Sequence, residues 1–280
     1  MGVTRLSFLS DISKKLGKTQ STESAEHSAS SKKNVHQEQL TAYFKDLKLP
    51  ADAQPLGGPV CIMLFTNRSG SNVLGEYLRA THQFSGFVEA LNYRRVIKYS
   101  QQNDLRSFFD YLTWQVLRLS EGDKVVGIKA SVDQAEMLHQ CNAIPGYFDN
   151  VHWVAVQRGD TLAQAISFSI AAQTRQWTSS DAPASADPVY NYEDIKRRVE
   201  MLCDEQARLN AFCAMRGISP IRATYEEFTA DSKGSVRGIA GQMGIDSLIF
   251  DESLLTLRPQ SDGRNEEFRA RFIEDYSARN

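Results

Sequence analysis

The chain has 280 residues, of which 32 are Lys or Arg and 34 are Asp or Glu, so its formal net charge is −2. Hydrophobic residues make up 41% and charged residues 24%, a balance typical of soluble globular enzymes. The near-neutral charge argues against a general nucleic-acid-binding protein, and no apolar run approaches the roughly 18 residues that a membrane-spanning helix needs.

The first 45 residues differ in composition from the rest and are predicted to be a tail, with the folded domain over residues 46–280. Residues 19–33 are almost all small and polar, so they bury too little apolar surface to offset the entropy of ordering and indicate a flexible linker. Residues 1–18 place Leu6, Leu9, Ile12 and Leu16 at roughly helical intervals among basic side chains. One interpretation is a basic amphipathic helix on the anionic inner face of a membrane. The alternative is a frayed terminus or a helix packed on the protein.

Beyond the tail, apolar strands alternate with amphipathic helices. This alternation predicts an α/β fold, a mostly parallel sheet flanked by helices in a single domain. Residues 178–190 are a Ser-, Ala- and Pro-rich loop, long enough to order over a substrate. The predicted strands are 59–65, 124–129, 151–158 and 218–225, and the predicted helices are 73–81, 160–177, 192–216 and 226–246.

In parallel sheets ligands bind outside the carboxyl ends of the strands, here Thr66–Asn72, Lys129 and Arg158. The segment FTNRSGSNVL joins a buried strand to a helix start, where unpaired N–H groups and the helix dipole favour a phosphate or sulfate. Gly70 lets the backbone approach the anion, Ser69 and Ser71 add hydroxyls, and Arg68 adds a charged fork. The loop lacks the Lys of GxxxxGK[ST], and no Asp ends the later strand to help hold a metal. An anion site without metal is therefore favoured over an ATPase loop.

Four segments together carry a family resemblance: FTNRSGSNVLGEYLRAT, the strand ending GIK, VQRGDTLAQAISFSIAAQTRQW and RPQSD. In this order, from about Val60 to Phe272, they resemble the trehalose sulfotransferase family. Its members are bacterial carbohydrate sulfotransferases with a P-loop-like fold that use 3′-phosphoadenosine-5′-phosphosulfate (PAPS). The most specific stretch runs from Arg158 to Trp177.

The resemblance implies a role for several residues of this chain. The loop Arg68, Ser69, Gly70, Ser71 and Asn72 would hold the 5′-phosphosulfate of PAPS. Arg158 and Ser167 would hold the 3′-phosphate. The late Arg258 would lie near the nucleotide, or it would brace the C-terminal structure.

The family also has a Glu as the proposed catalytic base, which takes the proton of the acceptor hydroxyl. Continuing from Arg68 without a gap places it on Glu89 in SGFVEALNY. Here Phe87 and Val88 replace the proline that commonly precedes it, which predicts a different local backbone. An exposed acid at a helix start is the competing interpretation of Glu89, and His82 is the nearest alternative base.

The resulting prediction is a PAPS-dependent carbohydrate sulfotransferase that requires no metal. Its acceptor would be a hydroxyl of trehalose, a glycolipid or a lipopolysaccharide sugar, bound near residues 84–100 and 178–190. The alternatives are a kinase of the P-loop type and a nucleotide- or glycan-binding protein without catalysis. Four cysteines without a CxxC pair favour a cytoplasmic location. Peripheral membrane contact through residues 1–18 is expected if the amphipathic interpretation holds, and the resemblance allows a homodimer.

Overall fold

The computed structural model describes residues 34–178, 181, 187–257 and 263–279. The strands in this part of the chain form one parallel sheet in the order β2–β3–β1–β4–β5. The predicted α/β fold with a parallel sheet flanked by helices is therefore confirmed. The strands are β1 (Val60–Phe65), β2 (Phe84–Val88), β3 (Val125–Ala130), β4 (Val151–Gln157) and β5 (Ile221–Thr224).

Helices connect the strands and cover the sheet. In chain order they are α1 (Val35–Phe44), α2 (Ser71–Arg79), α3 (Tyr93–Gln102), α4 (Phe108–Leu119), α5 (Val132–Gln140), α6 (Ala143–Gly146), α7 (Thr161–Thr174), α8 (Tyr192–Met215), α9 (Tyr225–Ala230), α10 (Ser232–Gln242) and α11 (Gly263–Arg279), with a short 3₁₀ turn at Glu252–Leu254. No helix among the described residues is long and apolar enough to cross a membrane.

The central strand β1 is buried on both faces, as its continuous apolar sequence predicts. Val60, Ile62 and Leu64 pack into one core, which also holds residues of α4 and α5. Cys61 and Met63 point the other way, into a second core with α2 and α10. Because successive side chains of β1 point to opposite faces of the sheet, this one strand packs against the helices on both faces. A third, smaller cluster joins α7, α8 and α11.

Helix α1 belongs to the folded body. Asn34 caps it by accepting a hydrogen bond from the amide of Gln37, and Leu40 lies fully buried in the first core. This helix falls within the 1–45 segment that composition grouped with the tail. The predicted amphipathic segment 1–18 and the linker 19–33 lie outside the described residues.

Two elements differ from the sequence-based expectation. Strand β2 was not predicted, because Gly86 interrupts its short apolar pattern. The helical stretch predicted over 226–246 consists of two helices, α9 and α10, and ends at Gln242. Asp231 separates them: its side chain accepts a hydrogen bond from the amide of Gly234 and so caps the second helix.

The strand order fixes where loops converge. Within the sheet, β3 and β2 lie on one side of strand β1, and β4 and β5 lie on its other side. The chain leaves β1 toward β2 and leaves β4 toward β5, in opposite directions. The carboxyl ends of β1 and β4 are therefore the topological switch point, where open α/β sheets bind ligands. The loop after Phe65 and the turn after Gln157 meet there.

Candidate active site

The loop after β1 has the backbone of an anion-binding turn. Arg68 has a φ of 64° and Gly70 a φ of 87°, so both occupy the left-handed region. Gly70 is the N-cap residue of α2 and makes no side-chain capping bond. The N–H groups of the first turn of α2 therefore donate to no cap side chain, which leaves them available to an anion.

Gly70 is also required by its neighbour Tyr225. A Cβ atom built at Gly70 would lie 2.6 Å from Cδ2 of the Tyr225 ring, closer than real Cβ atoms approach. The loop therefore passes directly against the first residue of α9. Glycine is needed here both for its φ and for this close approach.

Helix α7 holds the same loop from the other side. The buried amide of Gln164 donates to the hydroxyl of Thr66 at 2.9 Å and to the carbonyl of Asn67 at 2.7 Å. Asp160 is the N-cap residue of this helix, and its carboxylate accepts a hydrogen bond from the amide of Ala163. The loops after β1 and β4 are thus one hydrogen-bonded unit.

A cavity of about 270 Å³ opens at this switch point. Among the described residues, three arginines line its wall together with aromatic and aliphatic side chains, a mixture that suits a ligand with both anionic and planar parts. The lining residues are Arg68, Gly70, Asn72, Val73, Arg158, Asp160, Ala163, Ile166, Ser167, Trp177, Thr178, Tyr225, Leu257, Asn265, Glu266 and Arg269.

Arg68 joins the two predicted halves of the site. Its Nε donates to the hydroxyl of Ser167 at 3.0 Å, and its Nη1 donates to the carbonyl of Trp177. Burial lowers the pKa of Arg68, and the positive charge of Arg158 lowers it further. The positive charge of Arg158 therefore acts on Arg68 within the same cavity, and a bound anion would offset that repulsion.

Arg158 is held in place by α9. Its guanidinium lies 4.4 Å from the centre of the Tyr225 ring, a cation–π contact. Its Nε is buried and has no hydrogen-bond partner among the described residues. The carboxylate of Glu226 accepts hydrogen bonds from the amides of Gly159 at 3.0 Å and Asp160 at 3.3 Å. These bonds fix the turn that carries Arg158.

A third arginine approaches the cavity from α11. Arg269 donates to both carboxylate oxygens of Asp160, at 3.0 and 2.7 Å. Burial acts to raise the pKa of Asp160, but the amide of Ala163 and the guanidinium of Arg269 outweigh it and hold the pKa below its usual value. The ion pair ties the C-terminal helix to the turn after β4.

Glu89 follows the last residue of β2, and a β-bulge precedes it. Gly86 and Phe87 have positive φ values of 77° and 56°, and the pairing with β3 shifts between Gly86 and Val88. Bulges re-aim the residues that follow them. Glu89 is therefore at a strand end, not at a helix start, and the unusual residues before it correspond to an unusual backbone.

The carboxylate of Glu89 contacts a buried lysine of the next strand. Its Oε1 lies 3.1 Å from Nζ of Lys129, and the same Nζ donates to Oδ1 of Asn72 in the cavity wall. The Glu89 side chain stays 45% exposed, while that of Lys129 is 1% exposed. The alternative base His82 instead pairs with Asp251 at 3.5 Å. Among the described residues that line the cavity there is neither Glu89 nor His82, but Asn72, which Lys129 links to Glu89, is one of them.

The remaining predicted residues take different positions. Ser69 and Ser71 are buried, at 0% and 6% exposure, and neither is among the lining residues of the described cavity. Arg258 lies outside the described residues. The two residues just before it in sequence are bound to α2: the Thr256 hydroxyl and the Leu257 amide donate to the carboxylate of Glu76, at 2.6 Å and 2.8 Å.

Sequence reasoning did not identify Gln164, Tyr225, Asp160 or Arg269 as site residues, and it named Lys129 only as a strand exit. Glutamine in a helix and tyrosine after a strand carry no local signal, because their role depends on which loop lies opposite. For Lys129 a signal existed: a lysine that ends the buried strand VVGIK needs a partner in the fold.

The fold and the cavity together define the class of protein: it is a parallel α/β protein with an arginine-lined cavity at the switch point of its sheet. The model of the Stf0 sulphotransferase family matches residues 131–275, just over half of the chain. The chain therefore belongs to the Stf0 sulphotransferase family, and sulfuryl transfer is the chemistry of that family.

Among solved structures, the sulfotransferase domain from the Synechococcus PCC 7002 olefin synthase is similar to this chain. It is 16% identical with a TM-score of 0.44, and the alignment covers 78% of this chain and 82% of that chain. No curated protein matches the sequence.

Proposed function

We propose that this protein transfers the sulfuryl group of PAPS to a hydroxyl group of a carbohydrate acceptor. The observation that carries the proposal is the 3.0 Å hydrogen bond from Arg68 to Ser167. It joins the loop expected to bind the 5′-phosphosulfate to the helix expected to bind the 3′-phosphate. Both ends of one nucleotide can then be bound in a single cavity.

The polar groups of the cavity fit a ligand with two anionic ends. Arg158 has a buried Nε without a partner among the described residues, and a phosphate oxygen would satisfy it. At the other end, Arg68 and the first amides of α2 offer donors to the phosphosulfate. Tyr225 and Trp177 supply aromatic surface between polar groups, as a nucleoside requires.

In the proposed reaction, Glu89 is the base. The acceptor oxygen forms a bond to sulfur while its proton passes to the carboxylate of Glu89. The bond between sulfur and the bridging oxygen breaks, and its electron pair stays on the phosphate of the leaving adenosine 3′,5′-bisphosphate. Arg68 and the loop amides stabilise that developing charge. The 45% exposure of Glu89 leaves its carboxylate open to a sugar hydroxyl.

The test is to incubate the full chain with ³⁵S-labelled PAPS and separate acceptors: trehalose, a glycolipid and a lipopolysaccharide. We expect label in one acceptor, with turnover unchanged by a chelator. A matched reaction with γ-labelled ATP and Mg²⁺ tests the kinase alternative. Nucleotide-dependent thermal stabilisation without any labelled product would instead indicate a binding protein, and label transferred only from ATP would overturn the proposal.

A further inference from the structure

Lys129 is a buried cation that the reaction described above does not use. Its side chain is 1% exposed at the carboxyl end of β3. A charged ammonium is almost never fully buried unless it is paired, because desolvation is costly. Here Nζ contacts Oε1 of Glu89 at 3.1 Å, donates to Oδ1 of Asn72, and lies 4.4 Å from the centre of the Phe65 ring.

These contacts join three separate segments at one atom. Asn72 lies in the first turn of α2 and lines the cavity, Glu89 follows β2, and Lys129 comes from the strand between β2 and β1. The loop itself has no lysine after Gly70. The cation that reaches the loop from this side is therefore supplied by β3.

The charges around the pair come from several elements. Burial lowers the pKa of Lys129, the carboxylate of Glu89 opposes that effect, and Arg79 of α2 adds to the lowering. On the side of α1, burial lowers the pKa of His36, while Asp133 and Glu89 act to raise it. Glu89 is the group that favours the charged form of Lys129.

We propose that Lys129 is a positioning residue that holds the catalytic carboxylate of Glu89 at a fixed place beside the anion-binding loop. This inference rests on the proposed function. The ammonium keeps its proton throughout the reaction, while its contact with Asn72 ties the base to the wall that holds the sulfuryl donor. A misplaced base loses rate without losing nucleotide affinity.

The first experiment compares Lys129→Met with Lys124→Met. Lys124 immediately precedes β3 at its opposite end and pairs with Glu121 at 2.7 Å, so its variant removes a more exposed lysine–glutamate pair at the other end of the same strand. For Lys129→Met we expect kcat to fall about 10- to 100-fold, with KM for PAPS and the Kd for adenosine 3′,5′-bisphosphate within about twofold. Lys124→Met should change none of these values. Equal losses of kcat and nucleotide affinity in Lys129→Met would overturn the proposal.

A double-mutant cycle tests whether Lys129 acts through Glu89. We expect Lys129→Met/Glu89→Gln to be no slower than Glu89→Gln alone, because the lysine has no base left to position. Multiplied losses would mean that the two residues act independently and would refute the proposal. Should wild type transfer no label to any acceptor, the proposed function fails, and the next measurement still tests the contact.

That measurement needs no turnover and no change at Lys129. The ε-methylene NMR signal of Lys129 is followed against pH in wild type and in Glu89→Gln. We expect the amine to titrate at lower pH in Glu89→Gln, because the carboxylate that favours its charged form is gone. An unchanged titration would show that Glu89 and Lys129 are not coupled and would overturn the proposal even where Lys129→Met does not fold.

Discussion

Substitution of Gly70 by alanine tests the geometry of the anion-binding loop. At a φ of 87°, an alanine incurs the left-handed penalty of about 1–2 kcal/mol. The added Cβ also meets the Tyr225 ring at 2.6 Å, an overpacking that costs typically about 1–3 kcal/mol. Together these effects predict a loss of about 2–5 kcal/mol in the free energy of unfolding.

The ring displacement also predicts weaker nucleotide binding. Arg158 stacks on Tyr225 at 4.4 Å, so a shifted ring moves the guanidinium that is proposed to bind the 3′-phosphate. We expect the Kd for adenosine 3′,5′-bisphosphate to rise about tenfold, equivalent to about 1.4 kcal/mol. Isothermal titration calorimetry measures this affinity, and urea unfolding measures the stability.

Gly217→Ala is the matched control. Gly217 has a φ of 63°, and no atom of the described part of the chain lies within 4 Å of a Cβ built there, so its alanine variant incurs the left-handed penalty alone. We expect it to lose only about 1–2 kcal/mol and to bind the nucleotide like wild type. If Gly70→Ala matched Gly217→Ala in both stability and affinity, the close approach of Tyr225 to the loop would be refuted.

Three further predictions concern single side chains. Glu89→Gln should lower kcat by about 10²–10⁴-fold with little change in nucleotide affinity, and an equal loss of both would contradict its role as base. Arg158→Met should weaken the binding of adenosine 3′,5′-bisphosphate, measured by calorimetry, by about 10- to 100-fold. Arg106 is exposed, so the control Arg106→Met should bind the nucleotide like wild type. Equal losses of affinity in the two variants would count against the assigned phosphate site. His36 accepts the amide of Tyr93 at 3.2 Å, and burial lowers its pKa below 6.5. As pH falls, the imidazole takes up a proton in the unfolded chain before it does so in the folded protein, so stability that is present above pH 6.5 is lost below it. The Tm should therefore drop between about pH 7 and pH 5 less steeply in His36→Gln than in wild type. Equal slopes of Tm against pH in the two proteins would refute this account.

Much of the fold could be predicted because its signals are local. The apolar run over β1, the small polar turn after it and the long amphipathic pattern of α8 each depend on residues close together in sequence. Local signals failed where the chain is short or interrupted. Gly86 and the bulge interrupt the pattern of β2, and a single capping residue, Asp231, divides the helical stretch predicted over 226–246 into two helices.

The amino-acid sequence alone determined the strand–helix alternation, the loop at Arg68–Asn72 and, through its family resemblance, the two segments proposed to bind the nucleotide. The contacts between distant segments depend on the folded arrangement: Arg68 reaches Ser167 across 99 residues of chain, and Lys129 contacts Asn72 and Glu89, which are 57 and 40 residues away. The physical reason is the strand order. Periodicity tells which residues face a core, whereas the neighbours of each strand, and hence the side chains that meet at the carboxyl edge, depend on the packing of the whole sheet.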